Sequence, residues 1–416
     1  MPYLARIVDH ELSERLAGTG AVVIEGARAC GKTATARNVS ASEALLDIDD
    51  NMQEAVTVNP AFVLEGETPR LIDEWQVAPA IWNHVRRAVD DRAKPGQFIL
   101  TGSATPADDA TRHSGAGRIT RLRMRPMSFF ELGRSDGAVS LSRLLDGEPM
   151  AGAKSDLTIP EIATEAAVGG WPGLRDIETG QALRSLRGYV DEIRRVDISR
   201  VDEKRRDPSR VGRLIVSLAR NVATHVAATT LAKDAGGSDG PLDDDTVREY
   251  LEALERLMVI ENQPAWAPHL RSTHTLRRAA KRHFVDPSLA VAALNATPEQ
   301  ILRDLRLFGF VFESLVVRDL RIYAQAGDGL VSQYRDSSGL EVDAIVEGLG
   351  GRWAAFEVKL DSSRVDEAAA NLLKFASKVD TAVSGEPAAL AVIIGTGFGF
   401  VRDDGVQVIP IGSLGP

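Results

Sequence analysis

The sequence predicts an α/β fold in which a parallel sheet built around a phosphate-binding loop comes first, a helical middle follows, and a second α/β unit closes the chain. Three observations predict it. A glycine-rich run of fixed spacing directly follows an apolar strand. Two further apolar strands end in carboxylates or hydroxyls. The alternation of strands and helices gives way to helices near residue 136, and strands return after residue 330.

The run is Gly26-Ala27-Arg28-Ala29-Cys30-Gly31-Lys32-Thr33, which fills the pattern G-x-x-x-x-G-K-[ST]. Residues 21–24 before it are apolar and strand-like, and residues 33–39 after it are compatible with a helix. In that context the glycines let the backbone curl so that successive N–H groups face a polyphosphate. Lys32 then reaches the outer phosphates and the Thr33 hydroxyl is placed to hold magnesium. ATP and Mg2+ are the expected cofactors, with Gly26, Ala27, Arg28, Ala29, Cys30, Gly31, Lys32, Thr33 and Ala34 as the binding loop.

The second strand is the short run Leu71-Ile72-Asp73-Glu74. A parallel strand ending in two carboxylates delivers Asp73 to the metal, usually through water, while Glu74 points elsewhere and orients and deprotonates the attacking water. A third strand, residues 97–100, ends in Thr101-Gly102-Ser103. Hydroxyls at the carboxyl end of a parallel strand lie at the crevice where ligands bind. Ser103 or Thr101 senses the terminal phosphate or positions water, or else the hydroxyls simply close a turn.

The chain has 416 residues, 44% hydrophobic and 26% charged, which fits a soluble protein of two or three domains. No uninterrupted apolar stretch of membrane-spanning length occurs and residues 1–14 lack the organisation of a signal peptide, so a cytoplasmic location without membrane attachment is expected. Cys30 is the only cysteine, which excludes an intramolecular disulfide and a cysteine-built zinc site. Within the loop it is either a reactive thiol or an inert loop residue. A net charge of −10 argues against wholesale polyanion binding while leaving room for a local basic surface.

Residues 1–135 read as the nucleotide-binding core. Near its end Arg121, Arg123 and Arg125 alternate with Leu122 and Met124 on a strand stopped by Pro126, a solvated edge or a phosphate contact. Residues 136–205 turn helical, broken by Gly169-Gly170-Trp171-Pro172-Gly173. Residues 206–295 carry helix periodicity at 210–224, 228–235 and 244–258, then short strands at 259–262 and 283–285, an order like that of a winged helix-turn-helix. Asp243, Asp244 and Asp245 open the third helix and would repel DNA phosphates. The following wing carries Arg271, Arg277, Arg278, Lys281 and Arg282 with no acid between 263 and 285, and is the candidate nucleic-acid contact.

Residues 296–416 read as helix 301–324, strands 330–334, 340–346 and 353–360, helix 365–378 and strand 388–394. Alternation places Glu357 and Lys359 on one face, beside Asp343 of the preceding strand and Glu313 of the leading helix. This is the D…E-x-K pattern of restriction-endonuclease-like folds. Asp343 and Glu357 would share a metal while Lys359 orients water or stabilises charge. An E-x-K triplet is also common on solvated strand faces.

The order of motifs resembles a large group of prokaryotic AAA-type ATPases whose N-terminal ATPase domain precedes a C-terminal domain of unknown function related to restriction endonucleases. The resemblance covers nearly the whole chain. It is carried by the loop around Lys32, Asp73-Glu74-Trp75-Gln76, Thr101-Gly102-Ser103, Gly117-Arg118 and Pro126-Met127-Ser128-Phe129-Phe130-Glu131-Leu132. Further on it includes Gly169-Gly170-Trp171-Pro172, Lys281-Arg282-His283-Phe284-Val285-Asp286, Glu341-Val342-Asp343 and Glu357-Val358-Lys359. Ala27, Ala29-Cys30 and Ala34 depart from the group's commoner residues without removing a phosphate or metal ligand. The resemblance implies an active site completed by an arginine from a neighbouring subunit, hence a homo-oligomer, with Arg118 the first candidate and Arg112 the second. It points to a magnesium-dependent ATPase that couples turnover to DNA remodelling or surveillance. An ATP-regulated, metal-dependent nuclease and a nucleotide-gated protein-interaction switch are the alternatives.

Overall fold

The computed structural model describes residues 3–102, 114–201, 204, 206–268 and 280–416. Ser103, Arg112, Arg271, Arg277 and Arg278 lie outside the described residues.

The first sheet contains β1 (Ala21–Glu25), β2 (Ser42–Leu45), β3 (Arg70–Asp73), β4 (Phe98–Gly102) and β5 (Ile119–Arg123), all parallel in the order β2-β3-β4-β1-β5. Period-two alternation sends Val22 and Ile24 to the face covered by Leu12 and Leu16 of helix Val8–Gly18. Ala21 and Val23 face Val85 and Val89 of helix Ile81–Arg92. With both faces covered, the central strands are apolar runs, as parallel sheets require. The order places β4 between the loop-bearing β1 and the acid-bearing β3, so Thr101 sits between their carboxyl ends.

Residues 136–205, expected to be helical, form the capped helix Ile159–Val168 and the long helix Thr179–Glu192, and also supply β6 (Val139–Ser140) and β7 (Ala153–Ser155). The long helix continues through a π-turn, Ile193–Asp197. Helices Pro208–Arg220, Ala228–Gly236 and Asp244–Arg256 follow. The antiparallel pair β8 (Ile260–Gln263) and β9 (Lys281–Phe284) comes after them.

The expected helix 301–324 is two helices. Asp304 ends Pro298–Arg303, and its side chain caps Leu305–Gln325 by accepting from the Leu307 N–H at 3.0 Å. Then come β10 (Leu330–Arg335), β11 (Glu341–Glu347), β12 (Trp353–Lys359), helix Val365–Ala376, β13 (Ala389–Ile394), β14 (Gly397–Val401), β15 (Gln407–Pro410) and β16 (Leu414–Gly415). They form a mixed seven-stranded sheet, β10-β11-β12-β13-β15-β14-β7, whose last strand comes from far upstream. Likewise β16 pairs with β6.

Candidate active site

The phosphate loop is held by residues with no side-chain alternative. A Cβ on Gly26 would lie 2.2 Å from the Met124 carbonyl oxygen, and Gly31 adopts φ +108°, where only glycine is unstrained. Lys32 is buried, its Nζ donating to the Gly26 and Ala27 carbonyls at 2.9 Å each. The Thr33 Oγ1 donates to Asp73 Oδ1 at 3.0 Å, and Thr101 Oγ1 also donates to that carboxylate. A hydroxyl and one carboxylate in contact are hard oxygen donors suited to Mg2+, which keeps waters and substrate phosphates in its remaining positions. Thr33 and Asp73 therefore fit that ion.

Glu74 follows at φ +53°, a left-handed conformation that turns its side chain away from that of Asp73. Its carboxylate accepts from Gln76 Nε2, while Gln76 Oε1 is buried without a hydrogen-bond partner. Gly102 leaves room for that amide, since a Cβ there would meet Gln76 Oε1 at 2.6 Å. Lys32, Thr33, Glu74 and Gln76 share a cavity of about 690 Å³ with Asp197, Val201 and Leu257 of the middle segments. The π-turn delivers Asp197 to within 2.9 Å of the Arg28 guanidinium, so the loop and the middle helices are joined by an ion pair.

Cys30 is fully buried, with Sγ directed at the Met124 carbonyl, which fits the inert reading. A residue the sequence did not single out, Arg6, clamps the loop. It donates to the Cys30 carbonyl at 2.9 Å, the Arg125 carbonyl at 2.8 Å and Glu131 Oε1 at 2.8 Å. Arg118 precedes β5 and so lies at the opposite rim of the parallel sheet from Lys32. It donates to Asp90 Oδ1 at 2.8 Å and to the Ala116 carbonyl.

The structure brings Glu313, Asp343, Glu357 and Lys359 together. Lys359 Nζ lies 2.6 Å from Glu357 Oε2 and 3.6 Å from Asp343 Oδ2. The placement of Lys281 corrects the sequence expectation. Instead of facing solvent on a wing, it is buried among these acids, 2.5 Å from Glu313 and 3.6 Å from Asp343. Burial would lower its pKa, but Glu313 and Asp343 outweigh it and raise it, so the ammonium stays charged. It lies between Glu313 and Asp343, while Asp343 and Glu357, the pair expected to share a metal, are both contacted by Lys359. Among the described residues no group of three or more His, Cys, Asp or Glu is arranged to hold a metal. Arg282 is turned inward as well, donating to the Val226 carbonyl at 2.8 Å.

A second buried network lies around Arg318, also missed in the sequence. Arg318, Asp286 and Asp319 are each at most 1% exposed. The guanidinium bonds Asp286 Oδ2 at 2.8 Å and Asp319 Oδ1 at 2.9 Å. Asp286 also accepts from the Gly170 N–H, and Asp319 from the Phe129 N–H at 2.9 Å. The three motif segments around 126–132, 169–172 and 281–286 therefore meet here. Gly169, at φ +75°, is forced to be small, since a Cβ would lie 2.3 Å from Asp286 Oδ1. The signal available in the sequence was Arg318-Asp319, an adjacent charged pair directly after the apolar run Leu315-Val316-Val317.

Residues 18–133 match the family described as AAA domain, residues 160–300 a domain of unknown function, DUF8612, and residues 308–414 another, DUF4143. Uncharacterised proteins of Mycobacterium bovis and Mycobacterium tuberculosis are each 25% identical over 346 residues, 82% of this chain and 70% of theirs. Among solved structures, a Walker-type ATPase of Pyrococcus abyssi is similar with a TM-score of 0.42 and 14% identity, across 68% of this chain and 94% of that one. The family match and the loop geometry together make residues 18–133 an AAA-type, P-loop ATPase-like domain. Among the described residues no helix is long and apolar enough to cross a membrane.

Proposed function

We propose that the protein is a magnesium-dependent ATPase that couples hydrolysis to work on DNA. The observation that carries the ATPase part of this reading is the convergence of Lys32, Thr33, Asp73 and Glu74 at the carboxyl ends of β1 and β3, and the DNA part rests on the arginine-rich surfaces of the chain. Bound Mg2+ would neutralise phosphate charge as it develops in the transition state. The chain's own residues do the rest. Lys32 would leave the Gly26 and Ala27 carbonyls for the outer phosphates, Thr33 and Asp73 would hold the ion, and Glu74 would take the proton of the attacking water. Gln76 donates to Glu74 and so holds its carboxylate in place.

Asp197, Val201 and Leu257 wall the same cavity, so the nucleotide state bears directly on the middle helices. That is the link through which hydrolysis would move a bound partner. The nuclease reading has less support because Asp343 and Glu357 are already paired with Lys359, and Lys281 adds a second ammonium beside Asp343. An ATPase assay with single-stranded, duplex and branched DNA tests the proposal. Stimulation of hydrolysis by DNA supports it. Hydrolysis indifferent to every DNA leaves the protein-interaction switch as the better reading.

A further inference from the structure

The β5 edge of the ATPase sheet faces an open cleft whose other walls are the stretch after β8 and the edge of the C-terminal sheet, β10, with the turn between β11 and β12. The cleft measures about 1300 Å³. Among the described residues six arginines line it, Arg15, Arg121, Arg123, Arg125, Arg321 and Arg352, against four glutamates, and Glu25 and Asp146 at its margin pair with Arg121 and Arg352, partners that phosphates would have to replace. In a chain of net charge −10 this is a local concentration of arginine.

The floor carries the firmest observation. Glu261 faces three guanidiniums, 2.6 Å from Arg125 and 3.6 Å from each of Arg123 and Arg321. Burial alone would raise its pKa, but these arginines outweigh it and hold the carboxyl well below the usual range. Arg321 is lowered to about 10 by burial, with Arg125 and Arg123 adding to it against Glu261. One carboxylate therefore answers three cations in a partly desolvated place, and uncompensated buried charge is costly. An anion entering the cleft would relieve it.

The geometry favours a strand of phosphates over other anions. Arg121 and Arg123 stand two residues or ~6.6 Å apart on β5 and are partly exposed, a spacing suited to successive phosphates, while Arg125 behind them is spent on Glu261 and Gln325. The volume exceeds the ~300–1,000 Å³ of small-ligand pockets. Leu330 and Val383, 74% and 60% exposed, give the cleft an apolar lip for unpaired bases.

We infer that this cleft holds a short stretch of single-stranded DNA by its phosphates, with Arg121, Arg123 and Arg352 as the accessible contacts. The inference rests on the DNA reading above and moves the contact surface from the wing to the cleft.

Binding of a fluorescent single-stranded oligonucleotide to the full-length protein, followed by anisotropy over a salt series, tests it. The R121Q/R123Q/R352Q variant should lose ~0.7 of the slope of log K against log salt per contact, about 2 in all. The matching triple lysine variant should keep most of the slope, because the charges remain. Thermal unfolding of both variants at the parental temperature certifies the fold. Steep binding by the parent that the glutamine variant retains overturns the cleft and leaves the DNA reading intact. Equal competition by duplex DNA or by polyglutamate also overturns it. Failure of the parent to bind any DNA removes the underlying reading and the inference with it.

Discussion

Lys281 of β9 and Glu313 of helix Leu305–Gln325 meet with 2.5 Å between nitrogen and oxygen, both buried and both beside Asp343. The lysine thus supplies internally the positive charge that the acids of β11 and β12 would otherwise take from a metal. With Lys359 it provides two ammonium groups for three carboxylates, leaving little drive to bind a divalent ion.

The parent protein should accordingly show no Mg2+- or Mn2+-dependent cleavage of single-stranded or branched DNA. Gel analysis of labelled substrates checks this. Robust cutting that D343A and K359A both eliminate, with ATP hydrolysis intact, would establish a second active site and sink the expectation.

Burial pushes the Glu313 carboxyl up to about 7 despite Lys281, from an ordinary value of 4.5. A carboxyl raised on folding binds its proton more tightly in the folded state. Its stabilising contribution is therefore complete below about 4.5 and lost as pH rises through about 7. Glu357 is raised in the same direction, by burial and then by Asp343. E313Q should flatten the decline in stability between pH 5.5 and pH 8.5, read from urea unfolding at ~25 °C. His283, kept neutral chiefly by burial, contributes the opposite trend at the acid end in both proteins and cancels in the difference. Parallel pH profiles for parent and variant would count against this account.

At the nucleotide site, K32A should abolish productive ATP binding, since the cation for the outer phosphates is gone. E74Q should bind ATP normally yet turn over ~10²–10⁴-fold more slowly, the scale of general-base assistance. Equilibrium binding of a fluorescent ATP analogue beside steady-state hydrolysis separates the two. Parental turnover by E74Q would show that another group takes the proton.

Replacing Arg318 by alanine leaves Asp286 and Asp319 buried and unpaired. A loss of ~3–5 kcal/mol is expected for such a broken pair. Because those carboxylates also hold the Gly170 and Phe129 N–H groups, the loss should appear as cooperative destabilisation in urea. A cost under ~1 kcal/mol would mean that the network relaxes or hydrates.

The nucleotide site was legible because its chemistry is local. The loop and its flanking strand and helix fall within residues 21–39, and Asp73-Glu74 ends a recognisable apolar run. Strands β10 to β13 were legible from alternation, within a residue or two of the observed ends. What escaped depends on long-range partners. Arg6 is 125 residues from Glu131, and Arg318 is 32 from Asp286. Lys281 sat in a basic run that composition marks as surface, and only the packing of β9 against helix Leu305–Gln325 turns it inward. Strand β7, at three residues, is too short to carry a periodic signal.

The pairing of β7 with β14 and of β6 with β16 makes the C-terminal fold a discontinuous unit. Its edge is encoded nearly 250 residues before the strand it completes, with two other structural units in between. A fragment beginning near residue 300 would lack that edge and the partner for its last strand. A fragment ending there would release residues 139–155 from the pairs that order them. A single crossover between β7 and the C-terminal strands would part these pairs, whereas one just after the ATPase domain would leave them whole, so everything downstream of the ATPase should be inherited as one block.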